Sequence, residues 1–105
     1  IINNEIPKGN VLVISKTAGL LAAKNTANLI PLCHPLTPEF IDINFKIKEE
    51  EIEIECIVKG EAKTGFEMEA LLGATICALT IYDLCKPLSP NIIIKNIHLI
   101  NKLKR

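Results

Sequence analysis

Ile41, Ile43, Phe45 and Ile47 alternate with Asp42, Asn44, Lys46 and Lys48, and Ile52, Ile54, Cys56 and Val58 alternate with Glu51, Glu53, Glu55 and Lys59. A period of two sends apolar side chains to one face of a strand and charged ones to the other. The polar run from Lys48 to Glu51 supplies a turn, so the two segments form an antiparallel hairpin with one wet face. Such a hairpin is not stable alone; its apolar face must be covered by other elements.

The covering elements are helical. Asn10 is placed to cap a first helical turn after Pro7, Lys8 and Gly9, and Thr17 to cap a second segment through Leu20, Leu21, Ala23, Lys24 and Ala27, ended by Pro31. From Phe66 to about Leu84 the apolar period changes: Met68, Leu71, Leu72, Ile76 and Leu79 fall at helical spacing, and Ala70, Ala74 and Ala78 allow close approach. Pro87 and Pro90 stop this central helix, and Ile92 to Leu99 is expected to be a final strand. The order is helix, strand, strand, helix, strand. One further strand before the first helix would make a ferredoxin-like α+β sandwich, an antiparallel sheet with helices packed on one face. Ile1 and Ile2 are candidates for the tail of that strand.

The chain has 105 residues, enough for one domain whose surface stays large relative to its core, so a partner subunit fits the size. Twelve Lys and Arg balance twelve Asp and Glu, which removes any overall field for nucleic acid or an acidic membrane. With 4% aromatic residues and no Trp, base stacking on aromatic platforms is also poorly supported. Cys33, Cys56, Cys77 and Cys85 form no Cys-x-x-Cys pair, and no apolar leader or span of about 20 residues is read from the sequence. A cytoplasmic protein with reduced thiols is expected.

Three polar clusters interrupt the aliphatic pattern. In Pro31-Leu32-Cys33-His34-Pro35 the flanking prolines restrict the backbone, and a rigid loop can aim the His34 imidazole for proton transfer or substrate binding. Cys33 beside it makes no metal site, since zinc requires three or four ligands. In Lys63-Thr64-Gly65-Phe66-Glu67-Met68-Glu69 the two glutamates open the central helix, where carboxylates favour the positive end of the dipole whatever else they do. As ligand contacts they suit a polar neutral group, such as the guanidine-like edge of a base, rather than an anion. Asp83 and Lys86 are three residues apart at the other helix end, close enough to pair. Lys8 beside Gly9, and Lys63 before Thr64-Gly65, are cations next to turns that could meet phosphate as point charges, although no phosphate-cradling Gly-x-x-x-x-Gly-Lys is present.

Helix length relates these clusters. Glu69 and Asp83 are 14 residues apart, hence separated by roughly 21 Å at 1.5 Å per residue. One subunit cannot bring both helix ends to one small ligand. If both clusters serve a single site, a second copy must supply the missing half across a two-fold interface. The small Ala and Gly73 face of the helix is compatible with such packing.

Lys8-Gly9-Asn10-Val11-Leu12, Leu29 to Leu36 around Cys33-His34, Lys63 to Leu71 and Ala78 to Lys86 together closely resemble the MoaC family of molybdenum cofactor biosynthesis, from about Lys8 to Leu99. The resemblance implies a ferredoxin-like fold, a homohexamer built as a trimer of dimers and active sites at the dimer interface. It also implies a lyase reaction in which 3',8-cyclo-7,8-dihydroguanosine 5'-triphosphate, supplied by a radical enzyme, becomes cyclic pyranopterin monophosphate and pyrophosphate. Carried over by motif, Asp83, Lys86 and Lys8 are catalytic, and Leu32, Cys33, His34, Glu67, Met68, Glu69 and Lys63 bind substrate. No cofactor and no protein-held metal are implied, with Mg2+ an open companion of the triphosphate; nucleic acid and membrane are not expected partners.

The chain departs from the family's pattern in three places. It has Lys8-Gly9-Asn10 where Lys-Gly-Asp is usual, which would weaken an interaction there. An Arg-bearing first strand and a Gly- and Lys-rich C-terminal tail are expected but missing from this single domain of residues 1–105, whose sole Arg is Arg105. Two other readings compete: an idle module that senses a nucleotide, and a structural oligomer whose polar clusters only stabilise helix ends.

Overall fold

A computed structural model describes residues 10–30, 37–61, 65–89 and 91–100. Its elements are α1 (Val11–Lys24), α2 (Thr26–Leu29), β1 (Phe40–Ile47), β2 (Ile52–Lys59) and α3 (Glu67–Cys85). This is an α+β arrangement, a two-stranded antiparallel sheet with helices packed against it, compatible with the ferredoxin-like fold.

Asn10 starts α1 as expected: its side-chain oxygen accepts the Val13 N–H at 3.1 Å, satisfying one donor that a helix start leaves open. Asn and Asp are equivalent acceptors at this position, so the departure from the family's Lys-Gly-Asp is accommodated here. Thr17 does not cap a second helix. Its hydroxyl donates to Val13 O at 2.8 Å inside one continuous helix, a bond that lets threonine sit mid-helix. The break falls instead at Asn25, whose side-chain amide donates to Leu21 O at 2.8 Å before the single turn of α2.

The hairpin follows the alternation. Ile43 faces Cys56, Phe45 faces Ile54 and Ile47 faces Ile52, so one apolar register runs the length of the pair. Lys48 N–H donates to Glu51 O at 2.8 Å to close the turn, and Lys48 Nζ pairs with Glu53 at 3.0 Å. Ile43 is buried with Val11, Cys77, Ile81, Leu84 and Cys85, which places the core between α1, α3 and the sheet.

Helix α3 is present, but with a different inward face from the one expected. Buried are Glu69, Gly73, Cys77, Ile81, Leu84 and Cys85, whereas Leu79 is exposed and Met68, Leu71, Leu72 and Ile76 are half-buried. The reason is steric. Gly73 is spent inside the subunit, where α1 crosses so closely that a Cβ on Gly19 would lie 2.7 Å from Gly73 O. Gly73 is therefore not part of a face held open for a second copy. Contrary to the sequence reading, α3 is also long and apolar enough, by length and composition, to cross a membrane. Its packing on α1 and β2 is that of a core helix.

The expected final strand is not formed. Residues 92–100 carry no regular structure, and Ile93 and Ile100 are about three-quarters exposed, at 77% and 75%. A strand needs a ladder partner, and among the described residues this segment has none; Asn96, with φ 57°, also breaks the extended path. The expected first strand at Ile1 and Ile2, and Pro90, lie outside the described residues.

Candidate active site

Helix α3 positions the described site residues at its two ends. At its start, Gly65 takes φ 78°, a left-handed backbone that glycine adopts without steric cost, and turns the chain into Phe66 and the first helical turn. Glu67 and Glu69 occupy that turn, where the dipole favours carboxylates. Glu69 is only 2% exposed and its Oε2 has no hydrogen-bond partner among the described residues. Burial pushes its carboxyl above the ordinary range; its own backbone N–H acts the other way, and the neighbouring Glu67 charge raises it further. Met68 lies between them, half-buried.

At the other end Lys86 Nζ pairs with Asp83 Oδ1 at 3.1 Å. The side chains are 54% and 57% exposed, so the pair is open to a ligand and to solvent. Lys86 N–H donates to Tyr82 O at 2.9 Å, closing the helix and fixing the lysine one turn from Tyr82. An acid and an ammonium in contact can pass a proton to and from a reacting oxygen or nitrogen. Lys8, Leu32, Cys33, His34 and Lys63 lie outside the described residues.

A groove of about 1910 Å³ runs between the hairpin, α3 and residues 91–100. It is larger than a small-ligand pocket and open, and its lining includes Ala70, Ala74, Tyr82 and Ile92 but neither Glu69 nor Asp83 nor Lys86. The candidate site is thus the two polar helix ends, of which the start meets this groove through Glu67. Sequence reading missed the burial of Glu69. Its signal was the spacing of four to Gly73 and eight to Cys77, which puts it on the small-residue face that the neighbouring helix covers.

A two-layer α+β domain with a carboxyl-rich start and a lysine–aspartate finish on one long helix has the form of a small enzyme domain with two polar clusters. The family model described as MoaC family matches residues 1–104, and the chain belongs to that family. It is 46% identical, over 95% of its length, to a protein of Heliobacterium modesticaldum named cyclic pyranopterin monophosphate synthase, and covers 64% of that protein. The corresponding protein of Bacillus subtilis is 47% identical over 95% of this chain and 61% of its own length. A probable cyclic pyranopterin monophosphate synthase of Sulfurisphaera tokodaii is 46% identical over 97% of this chain and 72% of its own length. The chain thus spans between three-fifths and three-quarters of the length of these relatives.

Proposed function

We propose that this chain acts as a cyclic pyranopterin monophosphate synthase in molybdenum cofactor biosynthesis. As a lyase it converts 3',8-cyclo-7,8-dihydroguanosine 5'-triphosphate to cyclic pyranopterin monophosphate and pyrophosphate. The observation that carries the reading is identity of 46% and 47% across 95% of the chain to two proteins bearing that name. The arrangement of α3 supports it, since its two ends hold the residue types the reaction uses.

Opening the purine ring requires several proton transfers, and closing the cyclic phosphate breaks the α–β phosphate bond as a sugar hydroxyl attacks the α-phosphorus. The hydroxyl proton goes to a base, and pyrophosphate carries away the bond's electron pair. In this reading Asp83 and Lys86 act as acid and base, joined by Lys8. Lys8, Lys63 and Lys86 offset the phosphate charge. Glu69 and His34 hold the base-derived ring, beside Leu32, Cys33, Glu67 and Met68.

The two ends of α3 are roughly 21 Å apart at 1.5 Å per residue, so each site takes Glu69 from one copy and Asp83 with Lys86 from another. The expected assembly is a homohexamer, a trimer of dimers, in the cytoplasm, fed by the radical enzyme that makes the substrate. Supplying the purified protein with the cyclic dihydro-GTP intermediate tests the reading: pterin product and pyrophosphate should appear in equal amounts. Tight binding without turnover would leave a sensor, and neither would leave a scaffold.

A further inference from the structure

We draw no further inference here: the strongest candidate, the groove of about 1910 Å³ between the hairpin, α3 and residues 91–100, lined by Ala70, Ala74 and the exposed Ile93 and Ile100, carries nothing because nothing in the structure shows what covers it.

Discussion

Lys86 Nζ lies 3.1 Å from Asp83 Oδ1 just past the end of α3, at the opposite end of that helix from the buried carboxyl of Glu69. The exposed pair and the buried acid are fixed by one rigid element, so neither can move to the other within a subunit.

Because the pair is about half exposed, removing it should cost little stability, less than about 1 kcal/mol. Lys86→Ala should therefore keep its melting temperature and oligomeric state while losing turnover. Calorimetric melting alongside a product assay checks this, and wild-type rates would remove Lys86 from the chemistry.

Gly19→Ala attacks the fold instead. The added Cβ would overlap Ile43 Cδ1 and stand 2.7 Å from Gly73 O, and the second contact is with backbone that cannot step aside. A loss of roughly 1–3 kcal/mol is expected, typical of overpacking. Urea denaturation measures it, and an unchanged midpoint would mean that α1 and α3 do not cross this closely.

Stability should depend on pH through Glu69. Its folded carboxyl titrates above its unfolded value, so its contribution is fully present below the unfolded value and is lost as pH rises through the folded one. Glu69→Gln cannot ionise, and its stability relative to wild type should rise across that interval and then level off. A difference that stays flat with pH would contradict the burial.

The core thiols should be inert. Burial, with lesser contributions from Cys77 and Asp42, pushes Cys56 up to about 11, and burial raises Cys77 and Cys85 as well. The thiolate is the nucleophile, so at pH 8 these three should resist iodoacetamide in the native protein and react on unfolding. Peptide mass spectrometry reads each site, and prompt native labelling of Cys56 or Cys77 would contradict their place in the core.

The hairpin was legible because a period of two is imposed by the strand itself, and Ile43 opposite Cys56 obeys it. The existence of α3 was legible for the same kind of reason. Its inward face was not, because contact with α1 selects small residues, and Gly73 and Cys77 carry less hydrophobic weight than the half-buried Leu71 and Leu72. Ile92 to Leu99 has a strand's composition, but composition cannot provide the neighbouring strand that would pair with it. At the site, the spacing of Asp83 and Lys86 announced their contact, whereas the burial of Glu69 depends on which helix face turns inward, a tertiary choice the local pattern did not record.

The central claim is that one site draws Glu69 from one copy and Asp83 with Lys86 from another. Glu69→Gln and Lys86→Ala, each inactive alone, should regain activity when unfolded and refolded together. Random pairing makes half of the dimers mixed, each with one intact site, so about a quarter of wild-type turnover is expected. A mixture as inactive as its components would contradict the shared site.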